Sequence, residues 1–436
     1  MKEKQKRGLF LKMMLLYSLA TGITALLVNA PSACLSGLLH ILTSPAQLTL
    51  DYFEIGCVGG TFLNAALVGM SCTSIFVISG AEISGTSLMA FFLTLGFSFF
   101  GMNFLNIWPC MLGTWLFAKV SGEGFAAQAN VALFSTAFSP FVSEAIWRYP
   151  AFDGMTGAIF LRLLLAMLSG GIAGFLMPAL CRHSPNMHRG YTLYNAAMVA
   201  GFIGIALFSL MYRAAGIEIP TNTDIGGAHS GIVNGFMLVV SLVTMLTGLT
   251  MNGWKVTCID RILKSDGFGC DFTRESDAAV LVHMGLFGLL VTAYYNLIGT
   301  ALNGPVLGSM LCMLAIAPCG AHALNVLPIM LGYALAAATD AIELSATAMA
   351  VGVSFACALC PIVGRFGIVS GMLAGMLHAC MVTSVVAFHG GFCLYNGGFI
   401  AGIIAVLLVP VLEYFFEPTK GLRLLPKRRR MEKKVY

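Results

Sequence analysis

One stretch of this chain occurs twice. Residues 84–118 align on residues 303–337 without a gap, with 12 identities in 35 positions. Gly85, Gly101, Leu105, Asn106, Pro109, Met111, Leu112 and Gly113 return as Gly304, Gly320, Leu324, Asn325, Pro328, Met330, Leu331 and Gly332, an offset of 219. A second pair, 169–203 and 370–404, repeats at an offset of 201 and carries the pattern HxGxxLYN at 188–195 and 389–396. Near Pro140 and Pro361 the offset is 221, so the first copy holds about 20 extra residues around 144–163. Apolar bias pairs Leu with Leu, but it does not place Asn, Pro, His and Tyr in register. The chain is internally duplicated, and two similar units must build its fold.

What those units are made of follows from composition. Apolar residues are 58% of the chain and charged residues 10%, against roughly 25% charged in soluble domains. With a mean hydropathy of +0.87, a soluble globular fold is excluded and the chain reads as an all-α polytopic membrane protein. The apolar runs place about fourteen transmembrane or re-entrant helices, near 9–30, 56–78, 84–101, 104–119, 126–147, 153–180, 190–212, 229–250, 279–301, 304–319, 322–338, 343–363, 366–387 and 392–416. Segments such as 304–319 fall short of the ~20 residues a full crossing needs, which points to hairpins. The first apolar run is too long for a signal-peptide core and reads as a retained helix. Residues 1–55 thus form an N-terminal helix with an interfacial stretch, 56–213 the first repeat, and 214–278 a linking helix and polar loop. Residues 279–417 form the second repeat and 418–436 a basic tail.

Placing both termini in the cytoplasm puts 20 Lys and Arg inside and only Arg148 and Arg213 outside, with Lys12 and Arg162 inside segments. Positive charge favours that orientation in a cell membrane. The first copy then begins outside and the second inside, so the two are inverted-topology repeats. The net charge of +5 resides mainly in the tails, where anionic membrane lipid explains it better than nucleic acid does.

Inverted repeats typically enclose a midplane site in transporters and channels, so the expected partner is a small polar solute. Asn106 with Pro109, and Asn325 with Pro328, combine a helix break with a carboxamide that satisfies freed backbone or binds solute. Tyr194, Asn195, Tyr395 and Asn396 offer donors and acceptors beside glycine. Packing supplies the competing reading: the Asn-x-x-Pro pairs would be helix corners, His188 and His389 loop caps, and Gly170-x-x-x-Gly174 and Gly371-x-x-x-Gly375 helix contacts. His188, His389, His322 and Glu82 are further polar or coupling candidates, and Glu144, Arg162, His378, Asp340 and Glu343 complete the ionisable set in or near segments. None recurs as the same residue in both copies, apart from the histidines of the HxGxxLYN pattern.

Thirteen cysteines are scattered singly; the one CxxC, Cys357 and Cys360 before Pro361, reads as small soft residues at a helix break. No metal site and no cofactor is expected. HExxH, GxSxG and P-loop motifs are missing, so enzymatic activity is not expected, although an intramembrane enzyme acting on a lipid-linked or hydrophobic substrate is the alternative. The longest polar loop, 252–277, has 26 residues and is too short for an output domain. Homo-oligomerisation stays open.

The residues of the repeat also carry a resemblance. NGPVLGSMLCMLAIAPCGAHALNVLPIMLG and HGGFCLYNGGFIAG resemble the bacterial family of duplicated membrane proteins called domain of unknown function fifteen seventy-six, over most of the chain from about Asp51 onward. That resemblance implies a duplicated membrane fold and no named activity. Gly391, Tyr395, Asn396 and Gly397 are also similar to the Gly-x-x-x-Tyr-Asn-Gly segment of the urea transporter family, with Ala196 replacing the last Gly in the first copy.

Overall fold

The computed structural model describes residues 2–48, 50–219, 226–340 and 342–429. Eight helices among them are long and apolar enough to cross a membrane, from 6–28 to Asn396–Phe415, and shorter apolar helices fill the space between. Expected segments 84–101 and 104–119 shrink to the 13-residue helices Gly85–Phe97 and Trp108–Val120. Thirteen residues rise about 20 Å, against a hydrocarbon core of about 30 Å, so each is a half-helix. Gly304–Ile316 matches Gly85–Phe97 in length and is buried along its whole course. Two-residue pieces, Phe416–Glu417 and Lys427–Arg428, are the only strands among the described residues. They fold the first part of the basic tail back, and Arg423 and Leu424 offer carbonyls to the free N–H groups of Ile368 and Val369 at 2.7 and 3.2 Å. The last seven residues of that tail lie outside the described residues.

The half-helices Gly85–Phe97 and Gly304–Ile316 cross at the centre, and their contacts give the relation between the copies. A Cβ added at Gly85 would lie 2.9 Å from Pro318 O, and one at Gly304 would lie 2.9 Å from Phe99 O. These are the same contact under the offset of 219. Between them Leu93 meets Cys312 and Gly96 meets Gly308. One number rises as the other falls, so the equivalent helices run antiparallel, as inverted repeats require. Only glycine lets the backbones at Gly96 and Gly308 approach this closely, because a side chain on either would collide with the other's carbonyl.

The repeat is larger than its sequence trace. Ser18 in the helix Lys2–Val28 packs on Gly69, and Ser241 in the helix Ser230–Met251 packs on Gly288, the equivalent glycine. Ala66 meets Gly22, and its equivalent Gly285 meets Met245. The leading and linking helices therefore hold matching places, one against each copy, although sequence alone set both outside the repeats. Tyr17 Oη and Thr244 Oγ1 join them at 3.0 Å. The extra residues of copy one form the loop after Trp147 and the first turns of the helix Ala158–Cys181; in copy two Gly367, at φ +90°, makes the same connection in one residue.

Candidate functional site

Each copy contains one long helix broken by a single 3-10 turn, Thr136–Phe138 in the first and Cys357–Leu359 in the second. Pro140 and Pro361 cause the breaks: a proline ring clashes with the preceding turn and donates no N–H, so carbonyls upstream are released. The released carbonyls are used across the copies. Leu193 N–H donates to Ala358 O at 3.0 Å, and Leu394 N–H to Ala137 O at 3.1 Å. Each Leu-Tyr-Asn segment is thus held by the broken helix of the other copy. Cys357 and Cys360 straddle one break as free, buried thiols.

Pinned in this way, Tyr194 and Tyr395 both reach the wall of one central cavity. Tyr194 Oη donates to Cys312 O at 2.7 Å. Its ring lies 5.4 Å from Phe355, Phe355 stacks on Phe97 at 5.8 Å, and Phe97 lies 5.6 Å from Tyr395. Beside this aromatic group is a cavity of about 190 Å³, lined among others by Thr86, Thr192, Tyr194, Asn195, Phe268 and Tyr395. No charged or histidine side chain lines it among the described residues. Asn195 is exposed. Thr192 is buried with its hydroxyl unpartnered. A chamber with hydroxyl, phenol and carboxamide groups on apolar walls suits a small uncharged polar molecule.

A second, smaller cavity of about 60 Å³ occupies the equivalent place in the other copy. Leu48, Phe355, Leu394, Asn396 and Gly397 in its wall correspond to Phe268, Phe134, Leu193, Asn195 and Ala196 in the wall of the larger one. Here Asn396 is buried and engaged: its Oδ1 meets His389 Nε2 at 3.0 Å and its Nδ2 donates to Val382 O at 2.9 Å.

The other expected site residues are elsewhere. Asn106 and Asn325 line neither cavity. Each carboxamide staples the turn that begins a helix: Asn106 accepts from Asn103 N–H at 2.7 Å and donates to Gly101 O at 3.1 Å and Ser143 Oγ at 2.9 Å. Asn325 accepts from His322 N–H at 2.8 Å and donates to Gly320 O at 2.9 Å. Pro109 packs on Gly170 and Pro328 on Gly371, and Gly174 and Gly375 press against Cys110 and Ile329, so these motifs build helix corners. The Asn-x-x-Pro carboxamides, expected on the solute path, are thus bonded to local backbone, and Asn106 and Asn325 are absent from the walls of the two equivalent cavities. His188 is buried, with Nε2 3.5 Å from Ser184 Oγ and Nδ1 accepting from Gly190 N–H at 3.2 Å. His322 anchors the polar loop through Ser265 O at 3.1 Å. Glu82 is exposed in a charged cleft with Lys6, Arg7, Asp271 and Arg274 and is not in the chamber's wall. Glu144 is fully buried, but Arg148 pairs with it and Tyr212 Oη donates a hydrogen bond to it. Sequence reading passed over Phe355, although its equivalence to Phe134 recurs at offset 221, and Thr192, which lies inside the HxGxxLYN pattern.

Fold and chamber together define a duplicated, all-α, polytopic membrane protein whose halves exchange contacts around a central cavity. The family model described as "Protein of unknown function (DUF1576)" matches residues 30–213 and 259–414, and the chain belongs to that family. No curated protein and no solved structure matches the chain, and the likeness to urea transporters finds no support in these comparisons.

Proposed function

We propose that this protein is a conduit in the cell membrane for a small uncharged polar solute, which binds between the two Leu-Tyr-Asn segments. The observation that supports the reading is the uncharged chamber itself, formed where the copies meet and walled by Tyr194 and Asn195 of one copy and Tyr395 of the other. Thr86 and Thr192 add hydroxyls, and no fixed charge repels or traps a neutral solute. With both termini cytoplasmic, the side carrying Arg182, Arg189, Arg365 and the 252–277 loop faces inward, and the larger cavity lies on that side.

Reconstitution tests the reading. Purified protein in liposomes is expected to carry a labelled neutral solute that a thermal-shift screen of small metabolites has selected, since a ligand at 100 times its Kd adds about 2.7 kcal/mol. Charged relatives of that solute are expected to cross poorly. Conversion of a lipid-linked or hydrophobic compound without solute crossing would instead support the enzyme reading.

A further inference from the structure

The two equivalent cavities differ threefold in volume, about 190 and 60 Å³. Their covers differ in the same sense. Over the smaller one, Leu48 N–H donates to Gly391 O at 2.9 Å and Gln47 Nε2 to Gly390 O at 3.0 Å, closing the first copy's connecting segment onto the second copy's HxGxxLYN turn. Over the larger one, the equivalent residue Phe268 donates its N–H to Asp266 Oδ1, within its own segment, at 3.1 Å. Phe268 meets the turn through its ring alone, against Gly190 and Tyr191, and Arg365 braces it there, its guanidinium 4.1 Å from the Phe268 ring and 3.3 Å from Asp266 Oδ2. Beneath the closed cover His389 grips Asn396, whereas beneath the other cover Asn195 is exposed and His188 reaches Ser184.

We infer that these are two states of one gate, seen once in each copy, and that the protein works by alternating access. Because the copies share one architecture in opposite directions, each can adopt the other's local arrangement. Exchanging the Phe268 ring contact for a backbone bond between Phe268 N–H and Gly190 O, the counterpart of Leu48 to Gly391, would bury Asn195 against His188, as Asn396 is buried against His389. Releasing Gln47 and Leu48 would open the cavity at Asn396. Tyr194 and Tyr395, with Phe97 and Phe355 between them, separate the two entrances. The inference rests on the conduit reading and specifies its mechanism: His188 with Asn195 and His389 with Asn396 are gate pairs, and the solute meets one exposed carboxamide at a time.

The test bridges one gate and reads the other. Pro185→Cys, joined to native Cys270 by a short bifunctional thiol reagent across the larger cavity, holds that entrance shut, and Pro185→Cys/Cys270→Ser is the control. Hydrogen–deuterium exchange of the segments 44–48 and 389–394 is expected to rise several-fold when the bridge forms. Unchanged exchange there would show that the cavities are independent and overturn alternation. Flux through the unbridged parent judges the conduit reading separately. A second variant does not depend on the bridge: Leu48→Pro removes the N–H that closes the smaller cavity. Impermeant thiol labelling of Asn195→Cys is expected to slow in the Leu48→Pro background while exchange at 389–394 rises. Faster exchange with unaltered labelling would overturn the proposal in the same way, as would no change in either.

Discussion

Asp51 Oδ1 accepts the N–H of Gly304 at 3.2 Å, joining the front of the first copy to the first turn of the second copy's half-helix. Asp271 Oδ1 accepts the N–H of Gly85 at 3.1 Å, which is the same contact with the copies exchanged. In both, the carboxylate also closes a local turn, on Phe53 N–H at 2.9 Å and Thr273 N–H at 3.1 Å. A buried helix start has N–H groups without intrahelical partners, and a carboxylate is the strongest available cap. Each copy therefore holds the acceptor that completes the other's central half-helix. A chain cut between residues 214 and 228 is expected to assemble when both pieces are co-expressed and to yield little folded material when either is made alone. A stable, monodisperse half would contradict this exchange.

The environment of Asp51 gives a prediction in pH. Burial pushes its carboxyl from an ordinary 3.8 up to about 6, outweighing the backbone amides of Phe53 and Gly304 that favour the charged form. A carboxyl raised in the folded state contributes stability that is full below its unfolded value and is lost as pH climbs through its folded one. The melting temperature is thus expected to fall between about pH 4 and pH 6 through a contribution of about 3 kcal/mol. Asp51→Asn keeps an acceptor for both N–H groups and does not titrate, so its melting profile over that window should be flatter. An equally steep profile in the variant would assign the pH response to other groups.

Neighbouring glycines in one helix should respond oppositely to alanine. A methyl at Gly174 would strike the backbone of Cys110, whereas one at Gly171 has nothing within 4 Å. Gly174→Ala is expected to destabilise by about 1–3 kcal/mol through overpacking. Gly171→Ala should be neutral or gain up to about 1 kcal/mol, since alanine is the better helix former. Thermal melts of the two variants in detergent, side by side with the parent, provide the comparison.

Much of this architecture is legible in the residues because a membrane forces it to be. Helix breaks must fall where Pro, Gly and polar residues stand, so the half-helices and the turns at Pro140 and Pro361 carry marks that recur in both copies. The match of Lys2–Val28 with Ser230–Met251 left little trace, because helices packed through small residues need only Ser18 and Ser241 in common against Gly69 and Gly288. The role of Asn106 was ambiguous for a different reason. A carboxamide that binds solute and one that staples a turn have the same composition, and only the positions of Gly101 and Ser143 separate them. The inequality of the two cavities is written only in part: Asp266, Gly267 and Phe268 stand where the other connecting segment has Ala46, Gln47 and Leu48, so the side chains that cover the cavities differ, but how far each cover seats depends on packing that residue identity alone does not give.

Leucine substitution separates the two kinds of asparagine. Asn106→Leu leaves the N–H of buried Asn103 and the carbonyl of buried Gly101 without their carboxamide partner, and Asn325→Leu does the same to His322 N–H and Gly320 O. Each orphaned buried group costs about 1–3 kcal/mol, so both variants are expected to melt well below the parent and to reach the membrane in reduced amount. Asn195 is exposed in the larger cavity and has no hydrogen bond of that kind to lose. Asn195→Leu should therefore melt with the parent while flux of the neutral solute drops about tenfold or more, corresponding to loss of one solute hydrogen bond of roughly 1–3 kcal/mol. Tyr395→Phe, which removes one hydroxyl from the same wall, should reduce flux in the same direction with the fold intact. Parental flux in Asn195→Leu, with protein of parental stability, would remove the carboxamide from the solute path and leave the chamber's apolar and hydroxyl walls as its remaining determinants.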